Sequence, residues 1–178
     1  LGEIEIQNQM GVDAIAVGNH EFDSPVESDG FAELISGKDS DGESVGTIFG
    51  SSWGGASFPF LTTNLDFSKD EFLDPLVVEG GKAPQAGTLS SSVVIEKSGQ
   101  RIGVVGATTP GLPFLTSAGG VVTSPSVQSQ SLTDAQLVET AAIIQAEVDS
   151  LLAANTEGTQ VILISHMPVF EYEVRLAG

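Results

Sequence analysis

Two short apolar runs stand out from the polar background of this chain, Val12-Asp13-Ala14-Ile15-Ala16-Val17 and Thr159-Gln160-Val161-Ile162-Leu163-Ile164. Both are rich in β-branched residues and show little alternation, which predicts strands buried on both faces, as in a parallel sheet. Before the first run, Ile4, Ile6 and Met10 among polar neighbours predict the last turns of a helix ending at Gly11. After it, Asp23-Ser24-Pro25 offers a cap and a first-turn proline for a helix through Phe31-Ala32-Glu33-Leu34-Ile35, stopping at Gly37. This order of strand, loop and helix is the first half of a βαβ unit. Phe58-Pro59-Phe60-Leu61-Thr62-Thr63-Asn64-Leu65 reads as a further strand, with the proline tolerable at its start.

Ser92 to Lys97 and Arg101 to Gly106 flank Ser98-Gly99-Gln100 and predict a β-hairpin. The longest helix follows the caps in Ser131-Leu132-Thr133-Asp134; Leu137, Ala141, Ile144, Val148, Leu151 and Leu152 then recur at three- and four-residue steps, ending near Asn155 and Gly158. A last helix is predicted from Phe170. The stretch 38–57 is rich in Gly, Ser and Asp and predicts a long surface loop. Asp39, Asp41 and Glu43 lack the spacing of an EF-hand and read as a solvated acidic face. The segments 74–89 and 115–130 predict irregular chain, the latter with a short strand at Val121-Val122-Thr123, and no internal repeat is present.

Composition narrows the chemistry. With 24 acidic and 6 basic residues in 178, the net charge is -18. Such a surface repels phosphate backbones and excludes nucleic acid as an unaided partner. It suits either a saline setting, where self-repulsion is screened, or an ordinary acidic exported protein. There is no cysteine, hence no disulfide, thiolate metal site or cysteine nucleophile. No apolar run approaches the ~20 residues of a membrane span. The N-terminus has neither a basic leader nor an initiator Met, so the chain reads as an excised or processed piece. The glycine-rich exit Gly106-Ala107-Thr108-Thr109-Pro110-Gly111 contains neither a G-x-G-x-x-G nor a P-loop lysine, and reads as a tight loop leaving a sheet.

The chain has two histidines, His20 and His166, and each stands where an apolar strand gives way to a loop. Two parallel strands would bring them to one edge of one sheet, beside Asn19, Glu21 and Asp23. Imidazole nitrogen with amide and carboxylate oxygens is a donor set for a divalent ion of the Mn, Fe, Co or Zn type. Asp23, three residues after His20, could instead orient that imidazole. Each residue alone also has a plain structural use, as surface histidine, turn asparagine or helix cap. Their coincidence at one edge is what points to a metal or acid–base site.

The hexapeptide Gly18-Asn19-His20-Glu21-Phe22-Asp23 resembles the Gly-Asn-His-Glu signature of the calcineurin-like metallophosphoesterases, and its Phe-Asp resembles their 5'-nucleotidase branch. Gln9 to Ala14, Phe58 to Leu61 with Asn64-Leu65, Ile102 to Gly106 with Thr108-Thr109-Pro110, and Val161 to Met167 resemble that branch in the same order, over nearly the whole chain. The resemblance implies an α/β fold, part of a four-layer αββα sandwich with mixed sheets. It implies that Asn19 and His166 are ligands of the second metal of a dinuclear centre (Mn, Zn, Fe, Co or Mg). By the same resemblance His20 is the catalytic histidine, stabilising the transition-state phosphate or protonating the leaving alkoxide, and Asp23 is the carboxylate paired with it.

The departures are as informative. The family's Asp-x-His, Gly-Asp and Gly-His-x-His motifs are absent from these residues. Residues 1–178 therefore read as a partial catalytic domain that alone binds metal weakly and hydrolyses little. The expected function is hydrolysis of phosphate esters, with a nucleotide as substrate and a periplasmic or extracellular location. The alternatives are action on cyclic nucleotides, sugar phosphates or general monoesters, as an alkaline phosphatase acts, or a non-enzymatic acidic domain that binds cations or a partner.

Overall fold

The expected helix before the first apolar run forms as α1 (Gly2–Met10) and stops at Gly11, whose φ of 70° reverses the chain while its N–H donates to the Asn8 carbonyl. The computed structural model describes residues 1–23, 27–155 and 159–177. From Gly11 the chain enters β1 (Ile15–Ala16), passes a 3-10 turn at His20–Phe22 and continues into α2 (Glu27–Ser36). The expected Ser24-Pro25 cap of α2 lies outside the described residues. Gly37, at φ 74°, ends that helix as anticipated.

The loop 38–57 carries a small antiparallel hairpin, β2 (Thr47–Ile48) with β3 (Ser51–Ser52). Asp39 folds the acidic stretch on itself, its Oδ1 accepting from the backbone N–H of Asp41 and Glu43. The run after it is divided between β4 (Phe60–Leu61) and β5 (Leu65–Asp66), and then come β6 (Leu89–Ser90), β7 (Ser92–Lys97), β8 (Gln100–Thr108), β9 (Val122–Thr123), α3 (Asp134–Ala154), β10 (Gln160–His166) and α4 (Phe170–Ala177). Ser98 and Gly99 connect β7 to β8 with φ of 53° and 76°, the two positive dihedrals that a tight hairpin requires. At the start of α3, Thr133 and Gln136 form a capping box, each side chain bonded to the other's backbone N–H.

Two three-stranded sheets carry the architecture, one parallel in the order β1-β4-β6 and one mixed in the order β10-β8-β7. Leu61, Val93 and Val104 are buried between them with Ala14, Ile95 and Ile164. On the outer side of the first sheet, Phe31 and Ile35 of α2 pack with Phe22, Phe60 and Leu89. On the outer side of the second, Ile144 and Leu151 of α3 and Tyr172 and Leu176 of α4 meet Val105, Ala107 and Met167. The layers are helix, sheet, sheet, helix, as expected of an αββα sandwich.

The two apolar runs differ from expectation. Each is an edge strand among the described residues, and β1 is only two residues long. Ile15 and Ala16 are half-buried, and Ile162 of β10 is 50% exposed. The strands also belong to different sheets. Composition reveals that a strand is apolar, but the pairing partner is set by distant segments, here Phe60-Leu61 for β1 and the long β8 for β10.

Candidate active site

The turn Gly18 to Asp23 is fixed from below by Phe22, which is 1% exposed and packs edge-on against Phe31 at 5.3 Å, Phe31 meeting Phe60 in turn at 5.2 Å. One buried ring thus anchors a turn on which His20 and Asp23 are exposed. Glu21 closes the turn, its Oε2 accepting from the Gly18 N–H at 2.7 Å. Gly18 is needed for space: a Cβ there would stand 2.8 Å from both Glu21 Oε2 and His166 Nδ1.

β10 delivers His166 to the same place from the other sheet. Its backbone pairs with Thr108 in the parallel register, and the Thr109 N–H donates to the His166 carbonyl at 2.9 Å. The His166 Nε2 lies 2.8 Å from Asn19 Oδ1. His20 and His166 therefore stand at one end of the sandwich, as the sequence suggests, but at facing edges of two sheets instead of along one.

These two donors fit a divalent ion. An amide oxygen and an imidazole nitrogen suit Mn, Fe, Co or Zn. Ligands bound at ~2.1 Å and at right angles lie about 3 Å apart, close to the 2.8 Å found between Asn19 Oδ1 and His166 Nε2. Among the described residues no group of three His, Asp or Glu side chains converges, so Asn19 and His166 supply part of a coordination shell.

His20 is separate from that pair. Its Nδ1 is 2.5 Å from Asp23 Oδ2, with the imidazole 76% and the carboxylate 49% exposed. The hydrogen bond and negative charge of Asp23 raise the His20 pKa above 6.5, against opposition from desolvation and with the smallest push from Glu21. With Nδ1 engaged, Nε2 is the nitrogen free to address a ligand. Asp23 is braced by Thr116, whose hydroxyl lies 3.3 Å from Oδ1 and 3.1 Å from the Phe22 carbonyl.

Four contributors were not legible in the sequence: Phe22 as anchor, Thr116 as brace, and the buried Thr62 and Thr108 behind the turn. Threonines at strand ends look like ordinary β-formers, and only the packing shows where their hydroxyls go. Clefts of about 570 Å³ beside Glu33 and Glu71 and about 590 Å³ beside Lys82 and Arg101 contain neither histidine, whereas one of about 340 Å³ is lined by His20 and Glu21.

No family model matches the sequence. A curated relative, Protein 5NUC of Lutzomyia longipalpis, is 32% identical over 125 residues, which is 70% of this chain and 17% of that protein. A crystal structure of a 5'-nucleotidase precursor from Thermus thermophilus superimposes with a TM-score of 0.66 at 21% identity, covering 98% of this chain and 25% of that one. The chain thus spans a quarter or less of the length of the proteins it matches. The chain shares its fold with the Thermus thermophilus 5'-nucleotidase precursor and is similar in sequence to a stretch of Protein 5NUC.

Proposed function

We propose that residues 1–178 form part of the catalytic domain of a metal-dependent phosphoesterase that hydrolyses nucleotides. The observation that supports it best is the pairing of two unlike sites on one turn: the Asn19–His166 donor pair at 2.8 Å and the His20–Asp23 pair at 2.5 Å. One neighbouring pair suits a cation and the other a mobile proton, which is what cleavage of a phosphate ester needs.

In this reading Asn19 and His166 hold a divalent ion of the Mn, Zn, Fe, Co or Mg type, and further ligands come from outside these residues. When bound, the ion neutralises charge on phosphate oxygens and activates water. Asp23 favours the protonated form of His20, whose Nε2–H donates to a phosphate oxygen as charge develops, or to the leaving alkoxide. Asp23 holds Nδ1 and stabilises the imidazolium, and Thr116 keeps Asp23 in place. With two donors of the shell among the described residues, this stretch alone is expected to bind metal weakly and turn over little.

The resemblance to a 5'-nucleotidase precursor supports a nucleotide as substrate. The net charge of -18 argues against long nucleic acids, and it also supports action in the periplasm or outside the cell. Among the described residues no helix is long and apolar enough to cross a membrane.

The test is hydrolysis of AMP and of a generic aryl phosphate by the natural full-length protein with added manganese. His20→Ala is expected to lower kcat by about 10²–10⁴-fold, the usual worth of a general acid. Turnover of the aryl ester or a sugar phosphate in preference to AMP would move the substrate to another ester. No turnover of any ester by the folded protein would overturn the enzyme reading in favour of a cation-binding module.

A further inference from the structure

We propose that Thr108 is the positioning residue that holds the Asn19 turn and the His166 strand in mutual alignment; the proposal rests on the phosphoesterase reading of that site. Asn19 follows a strand of one sheet, His166 ends a strand of the other, and the two are 147 residues apart, so something must set their separation. Thr108 touches both strands. It is fully buried at the last position of β8, opposite His166 in the parallel register. Its hydroxyl donates to the carbonyl of Val17 at 2.7 Å, two residues before Asn19.

Around it the network is closed. Asn64 grips the backbone of Thr108 from both sides, its Oδ1 accepting from the Thr108 N–H at 2.8 Å and its Nδ2 donating to the Thr108 carbonyl at 2.7 Å. The Thr62 hydroxyl lies 3.0 Å from Thr108 Oγ1 and donates to Asn64 Oδ1 at 3.3 Å, so the three side chains form one connected polar cluster. Val17, Thr62, Asn64 and Thr108 are all at most 4% exposed, so water does not compete for these bonds. Val17 already donates its N–H to the Leu61 carbonyl in its own sheet. The Thr108 hydroxyl therefore links its carbonyl to the opposite sheet, beside the turn that presents Asn19.

The hydroxyl is what matters. Valine has the same shape without the donor, whereas serine keeps the donor without the methyl. In the full-length protein, Mn²⁺ affinity is measured by electron paramagnetic resonance for wild type, Thr108→Val, Thr108→Ser and Thr62→Val. Loss of a bond that orients ligands through a neighbour costs about 10–100-fold in metal affinity, and this is expected for Thr108→Val. Thr108→Ser is expected to recover most of it. Thr62→Val, which leaves Val17 its donor but frees the Thr108 hydroxyl, is expected to give a smaller loss of the same sign, and it decides the matter if Thr108→Val does not fold. A second readout needs no metal: the His166 ring nitrogens by ¹⁵N NMR. The 2.8 Å contact of Nε2 with the Asn19 amide oxygen is expected to favour the tautomer with hydrogen on Nε2 in the wild type, and Thr108→Val is expected to mix the tautomers. Wild-type affinity and a wild-type ring spectrum in either valine variant would overturn the proposal. A wild type that binds no Mn²⁺ and hydrolyses no ester would instead sink the phosphoesterase reading, while the metal-free ring spectra would still decide the role of Thr108.

Discussion

The imidazole of His166 rests on the Cα of Gly18, so that a single methyl there would stand 2.8 Å from His166 Nδ1 and from the Glu21 carboxylate. The glycine that turns the chain after β1 is also the floor on which the second histidine lies. Gly18→Ala is expected to push the ring away from Asn19 and break the 2.8 Å contact between them. Overpacking of this kind costs roughly 1–3 kcal/mol. Thermal unfolding reads that cost, and manganese binding by the full-length protein reads the lost alignment. Unchanged metal affinity in Gly18→Ala would show that the ring has another seat.

A second glycine sets the distance between the sheets. A Cβ on Gly106 of β8 would collide with the backbone carbonyl of Leu61, and backbone cannot swing aside as a side chain does. Gly106 also donates to the Ser91 carbonyl and accepts from the Thr63 N–H, bonds that lock the facing segments together. Gly106→Ala is expected to destabilise by about 3 kcal/mol or more, at the upper end of overpacking costs. For a domain of this size that corresponds to a fall in Tm of roughly 6–12 °C. A shift below about 2 °C, less than 1 kcal/mol on the same scale, would show that the sheets separate freely.

How much of this could be read beforehand follows from what each signal encodes. The hairpin at Ser98-Gly99 and the capped helix from Thr133 are local: turn dihedrals and caps are written in adjacent residues, and both form where expected. The two histidines were legible because each ends an apolar run. Which sheet each run joins was not, since apolar composition marks β1 and β10 as strands and leaves the partner open. The contacts of Thr108 with Val17 and of Asn64 with Thr108 span 91 and 44 residues, and no local pattern announces them.

The His20–Asp23 pair predicts a definite pH response. Asp23 raises the His20 pKa, so the imidazolium is favoured in the folded chain relative to the unfolded one, where it titrates near 6.5. Its stabilisation is complete below 6.5 and is lost as pH rises through the higher folded value. Both groups are well exposed, so the effect on global stability is small and is best read at the residue. Proton NMR of His20 is expected to titrate above 6.5 in the wild type and to fall back toward that value in Asp23→Asn. Equal midpoints in the two proteins would mean that the pair does not form in solution.

Charge gives the last prediction. A net charge of -18 spread over 9116 Å² of surface means that acidic groups repel one another across most of the molecule. The ion pairs that could offset this are few and exposed, such as Lys97–Asp13 at 2.5 Å and Arg175–Asp134 at 2.7 Å. Exposed pairs contribute little, typically about 0–1 kcal/mol, and salt weakens them. The repulsion is longer in range, and raising ionic strength from 0.1 to 1 M shortens its reach from about 10 Å to about 3 Å. Screening therefore removes more repulsion than attraction, and Tm is expected to rise with sodium chloride over that interval. Potassium chloride at equal ionic strength should act alike, because screening depends on charge and concentration. Calorimetry across a salt series checks this. A Tm that falls with salt would mean that the few cations, Lys97, Arg101 and Arg175 among them, hold the fold together more strongly than the acidic surface drives it apart.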